Sequence, residues 1–161
     1  IENTPDSLQT TLQAVDCFVI NDSEARELAD EPNLVRAADD ILDMGPDTLI
    51  IKKGEHGALL FTDDSVFSAP AYPLEDIQDP TGAGDAFAGG LAGHLMRSGT
   101  SDQPALRRAV VYGSVMASFV VERFGPERLL EVGPADIGER AQSFRDLAAI
   151  PNLVPLEKQP A

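Results

Sequence analysis

Short, mostly apolar runs alternate along this chain with longer stretches in which apolar residues return every three or four positions. The run AVDCFVI (14–20) stops at Asn21, where NDSEARELAD begins a helical pattern, so a strand feeds a helix. A second helix is expected over NLVRAADDILDM (33–44), ended by Gly45 and Pro46, and DTLIIKK (47–53) reads as another buried strand. GEHG turns the chain into ALLFT (58–62), and Asp63 and Asp64 turn it again into VFSAPAY (66–72), a small antiparallel meander. From Thr81 the pattern is helical to about Ser98, with small residues on one face, and a longer apolar helix is expected from about Pro104 to Phe124. PADIGERAQSFRDLAAI supplies a last helix.

Apolar strands alternating with helices predict an α/β fold: a doubly wound, mostly parallel sheet with helices on both faces, carrying the small meander. In such sheets ligands bind beyond the carboxyl ends of the strands. Residues 1–150 are expected to form one domain, and the proline-rich 151–161 a flexible tail.

Composition narrows the classes of partner. The 161 residues suffice for one domain with a real core, and a formal charge of −15 disfavours nucleic acid or an anionic membrane as the partner. A nucleotide arriving with magnesium is still admitted. Cys17 is the only cysteine, so no internal disulfide forms, and its apolar setting suggests a buried thiol in a reducing compartment; the expected location is cytoplasmic. No apolar run reaches membrane-spanning length, and IENTPDSLQT carries neither a basic leader nor an apolar signal core.

Three short motifs carry chemistry, and each has two readings. In DPTGAGDAFAGG (79–90) a glycine-rich turn opens a helix, whose free N–H groups attract an anion, yet Asp79 and Asp85 bracket it with negative charge. Asp85 could take the proton from a hydroxyl attacking a phosphoryl group; it could also simply be a carboxylate favoured by the helix dipole. In NDSE (21–24), Asn21 and Glu24 could hold magnesium-bound water or form a helix capping box. In KKGEHG (52–57), Lys52, Gly54 and Gly57 could approach a nucleotide or make a plain hairpin turn. His56 and His94 stand apart from each other and from Cys17, without zinc-ligand spacing. GAGD lacks the Lys-Ser/Thr ending of a Walker loop, and no nucleophile elbow is present.

Taken in order, NDSE, KKGEHG and DPTGAGDAFAGG resemble the C-terminal half of the ribokinase-like (PfkB) carbohydrate kinases, over most of residues 14–125. The family signature is close to Asp-Thr-x-Gly-Ala-Gly-Asp before a small-residue helix, and this chain departs from it at Pro80. The resemblance implies an ATP- and magnesium-dependent kinase acting on a hydroxyl of a sugar or nucleoside, with Asp85 as base and the amides of Gly82, Ala83 and Gly84 as anion hole. It places Asn21 and Glu24 on the motif that organises magnesium through water. Lys52, Gly54 and Gly57 fall on the nucleotide-side turn, and Ser114 falls where many members carry an adenine-side asparagine. Asp79 and Thr81 match positions that bind a monovalent cation in potassium-activated members. Members are about twice this long, and their N-terminal half carries most acceptor contacts. The alternative is therefore a catalytically silent nucleotide-binding fragment, and a homodimer or association with a missing N-terminal half is the expected protein partnership.

Overall fold

The structure, a computed structural model, describes residues 5–149. Its elements run α1 (Pro5–Leu12), β1 (Cys17–Asn21), α2 (Asp22–Ala29), α3 (Leu34–Leu42), β2 (Thr48–Lys52), a 3-10 turn (Gly54–His56), β3 (Ala58–Thr62), β4 (Ser65–Ala69), α4 (Ala83–Ser98), α5 (Gln103–Val120), α6 (Glu127–Glu131) and α7 (Pro134–Leu147). The expected tail, 151–161, lies outside the described residues.

The four strands form one sheet in the order β1-β2-β3-β4. β1 and β2 are parallel, Val19 opposite Ile50, and this pair is crossed over by α2 and α3; β2, β3 and β4 continue as an antiparallel meander with Ile50 opposite Leu60. The meander is thus an extension of the sheet itself, and within the described residues the parallel portion is the β1–β2 pair. That pair ends both of its strands at the same rim, with Asn21 opposite Lys52.

Strand alternation sends neighbouring side chains to opposite faces, and both faces are covered. Leu49, Ile51 and Phe61 meet Ala25, Ala38 and Ile41 of α2 and α3, whereas Ile50 and Leu60 meet Phe87, Leu91, Leu106 and Val110 of α4 and α5. Burying each such Ile or Leu side chain contributes about 1.5–3 kcal/mol, so this double-sided filling dominates the fold's stability. α4 and α5 approach closely because Gly90 and Gly113 face each other's helix: a Cβ on Gly90 would lie 2.7 Å from the Tyr112 carbonyl oxygen, and one on Gly113 2.9 Å from that of Phe87. The stripe of small residues is a packing device.

Several expectations need correction. The long helix stops at Val120 instead of Phe124: residues 121–124 are turns and bends, Gly125 takes a left-handed φ of +66°, and a separate short helix, α6, follows Pro126. β4 ends at Ala69, leaving Ala71 and Tyr72 in a loop. Cys17 is half-buried at the sheet edge, where β1 pairs only with β2 among the described residues. Burial, then the charge of Asp16, pushes its thiol pKa up to about 11. Among the described residues no helix is long and apolar enough to cross a membrane.

At the far end of α5, Glu122 accepts from Arg140 at 2.6 Å and from Arg128 at 3.0 Å, joining α5 to α6 and α7. The Arg140 guanidinium also lies 3.6 Å over the Phe119 ring and 4.7 Å over that of Tyr72. It donates to Ser118 Oγ at 3.2 Å.

Candidate active site

A cavity of about 530 Å3 opens at the carboxyl rim of β1 and β2, roofed by the first turn of α4 and walled by α5. It gathers side chains or backbone from all three motifs: Asn21, then Lys52, Gly54 and Gly57, then Ala83 and Gly84, with Ser114 on the α5 wall. Residues separated by sixty positions in sequence meet here because two strands end, and one helix begins, at the same rim. Glu24, Asp79, Thr81, Gly82 and Asp85 stand beside it without lining it.

α4 begins with an open end. Gly82 is its N-cap, with φ +83° and ψ −5°, and has no side chain to cap the helix. Those angles suit the third position of a type II turn, and the Ala83 N–H closes that turn on the Pro80 carbonyl at 3.2 Å. The amide of Ala83, expected to face an anion, is thereby engaged. Those of Gly82, Gly84 and Asp85 have no bond among the described residues. Gly84 matters for another reason: a Cβ there would lie 2.9 Å from Lys52 Nζ, so the ammonium rests against the first turn of α4. Lys52 has no ion pair or hydrogen bond among the described residues. A half-buried cation and open amides thus face one cavity, an arrangement that attracts an anion.

The acids around the site divide by what they already hold. Asp79 accepts from the Thr81 N–H at 2.9 Å, and hydrogen bonds from Thr81, backbone then side chain, and from the Gly125 N–H hold its carboxyl below the usual aspartate pKa. The second acid therefore braces the turn that precedes α4. Asp85, exposed in the first turn of α4, has no hydrogen bond or ion pair among the described residues.

NDSE forms the complete capping box: Asn21 Oδ1 accepts from the Glu24 N–H at 2.8 Å while Glu24 Oε2 accepts from the Asn21 N–H at 3.0 Å. Asn21 Oδ1 and Glu24 Oε2 thus serve the start of α2, while Glu24 Oε1 has no hydrogen bond among the described residues. Among the described residues no three His, Cys, Asp or Glu side chains converge as metal ligands. KKGEHG makes the turn expected of it, with positive φ at Gly54 and Gly57.

The apolar walls of the cavity were not among the expected site residues, Ser114 apart. Tyr72 and Ile77 come from the loop after β4, and Ala117, Ser118 and Val121 join Ser114 on α5. The α5 group was readable as spacing of three, four and seven, one helical stripe, though nothing local says that this stripe faces a cavity. The loop residues carry no periodicity at all.

Residues 1–132 match the pfkB family carbohydrate kinase. The chain belongs to this family. Among curated relatives, the aminoimidazole riboside kinase of Salmonella typhimurium is 42% identical over 83 residues, covering 52% of this chain and 26% of the relative. Among solved structures, the Salmonella enterica aminoimidazole riboside kinase complexed with aminoimidazole riboside and an ATP analog superposes with a TM-score of 0.77 at 28% identity, over 88% of this chain and 47% of that one. A ribokinase II candidate from E. coli, in complex with ATP and Mg, gives 0.72 at 27% identity, over 88% and 44%. The chain spans less than half the length of these proteins. The expected fold, a ribokinase-like α/β sheet covered on both faces, is therefore the fold observed, and its relatives are kinases.

Proposed function

We propose that this chain supplies the nucleotide-binding and phosphoryl-transfer part of an ATP- and magnesium-dependent kinase that phosphorylates a hydroxyl of a sugar or nucleoside in the cytoplasm. The observation that carries this reading is Lys52: an unpaired ammonium against Gly84, over the uncapped start of α4, inside the cavity where all three motifs meet. Such a cation would offset phosphate charge, and the amides of Gly82, Gly84 and Asp85 would face the transferring group. Asp85 would accept the acceptor hydroxyl's proton as that oxygen bonds to phosphorus and the bond to the ADP oxygen breaks. Its freedom from other partners suits that task.

Gly54, Gly57 and Ser114 would border the nucleotide, with Tyr72, Ile77 and Val121 offering apolar surface to its base. Magnesium, when bound, would neutralise phosphate charge; Asn21 and Glu24 would reach it through water, because that ion keeps several of its own waters. Asp79 and Thr81 would flank a monovalent cation such as potassium. The acceptor contacts, and any partner half or second copy that provides them, are assigned to sequence beyond these motifs.

Titration calorimetry with ATP and magnesium tests the reading. The wild-type chain should bind, and Lys52→Gln should weaken binding by about tenfold or more, the size of one lost charge-assisted contact. A chain shown to be folded by circular dichroism that takes up no nucleotide at millimolar concentration would sink it. Binding without acceptor-dependent ADP release, even with the rest of a kinase supplied, would instead identify a silent nucleotide-binding module.

A further inference from the structure

A second cavity, about 640 Å3, lies between α4, α5 and the start of α7 and shares no lining residue with the first. Gly89 and Gly93 give it a floor with open space above, since a Cβ at either would meet nothing within 4 Å. Arg97 at the end of α4 and Arg108 on α5 line it, and neither guanidinium has an ion pair or hydrogen bond among the described residues. Arg26, Arg36, Arg123, Arg128 and Arg140 are all paired to carboxylates, as expected in a chain of net charge −15. Arg97, Arg107, Arg108 and Arg145 have no carboxylate partner among the described residues; around the first three, residues 86–121 contain a single acid, Asp102, whose carboxylate accepts from the Ala105 N–H at 2.8 Å.

His94 stands with them. Its ring stacks on Tyr112, centroids 4.5 Å apart and planes within 15°, and its Nε2 is buried without any hydrogen-bond partner. A buried polar atom with no partner in the protein signals one that comes from elsewhere. Burial, then the charges of Arg108 and Arg97, lowers its pKa, so the imidazole stays neutral at pH 7 and the positive field of the groove comes from the arginines.

We propose that this groove binds a phosphate-type oxyanion, free or as the phosphate of a small ester, held between Arg97 and Arg108 with His94 Nε2 as the third contact. Two guanidinium groups and an imidazole nitrogen lining one groove suit a tetrahedral group with several acceptor oxygens. The glycine floor leaves room for the remainder of an ester. The site is independent of the nucleotide cavity and of the reading given for it.

The chain contains only two histidines, so imidazole NMR reports both regions at once: His94 in this groove and His56 on the turn bordering the first cavity. Titration with inorganic phosphate or glycerol 3-phosphate, against sodium chloride of equal ionic strength, should shift His94 saturably. R97Q/R108Q should weaken that response about tenfold or more, and Lys52→Gln should leave it in place. Tighter response to glycerol 3-phosphate identifies an ester as the ligand, and tighter response to phosphate the free anion. A wild-type His94 response no larger than the chloride control overturns the proposal, as does one that survives R97Q/R108Q unchanged or disappears in Lys52→Gln.

Discussion

Two helices start at the same rim of the sheet and treat their free N–H groups in opposite ways. α2 closes itself: Asn21 and Glu24 satisfy each other's backbone, and Asp22 in the first turn bonds Arg26 at 2.8 Å. α4 stays open: Gly82 brings no side chain, three amides have no partner among the described residues, and Asp85 in the first turn holds nothing. A helix start that spends its polar groups on itself contributes stability, whereas one that withholds them keeps its field for a ligand. The contrast separates scaffold from site more sharply than the presence of carboxylates does, since both starts have them.

The largest effect should follow from Asp85. In a full-length kinase carrying this segment, Asp85→Asn should lower turnover by about 10²-fold or more while ATP affinity stays near wild type, the signature of a lost general base. Steady-state kinetics with calorimetry separates the two quantities. Wild-type turnover in the variant would reduce Asp85 to a second Asp22, a carboxylate that only decorates a helix start.

The difference between the two starts was only half legible in sequence. Asn-x-x-Glu before a helical run specifies its own bonds within four residues, so the capping box could be read from Asn21 and Glu24 alone. Gly82-Ala83-Gly84 specifies a turn and a helix, yet what makes the turn a site is Lys52, delivered by a strand thirty residues earlier. The same limit hid Tyr72 and Ile77, which the cavity takes from a loop without periodicity, and α6, whose five residues are too few to show a pattern. Arg140 shows it most fully, since its contacts with Glu122, Phe119 and Tyr72 span three elements. Local chemistry was readable; convergence depended on packing.

Next in size is Gly82→Ala, which forces a side chain into a left-handed conformation and should cost about 1–2 kcal/mol. Urea denaturation measures it. Calorimetry on the same variant should show weakened nucleotide binding, because the turn that presents the open amides is displaced. Loss of stability with unchanged affinity would mean that the open start serves folding alone. Asn21→Ala probes the closed start and should cost about 1 kcal/mol, lowering Tm by about 2–4 °C in a domain of this size. An unchanged Tm would show that the capping box contributes nothing measurable, and the two starts would then no longer differ in what they contribute to stability.

The smallest effect concerns pH. Hydrogen bonding to Arg26, the largest cause, holds the Asp22 carboxyl below its ordinary pKa, whereas the side chains of the pair are about two-fifths exposed and screened by water. A depressed carboxyl pKa means that the unfolded chain binds the proton more readily. The pair's contribution is therefore fully present above the unfolded aspartate value of about 3.9 and is lost as pH falls through the lower folded value. Asp22→Asn should flatten the acid side of the stability profile slightly and leave the neutral region less stable by well under the cost of Asn21→Ala. Urea midpoints measured between neutral pH and the acid limit of reversible folding would show this, more weakly at high salt. If Asp22→Asn left the acid slope unchanged, the carboxylate would be unspent in solution, and α2 would present a free acid at its first turn just as α4 does.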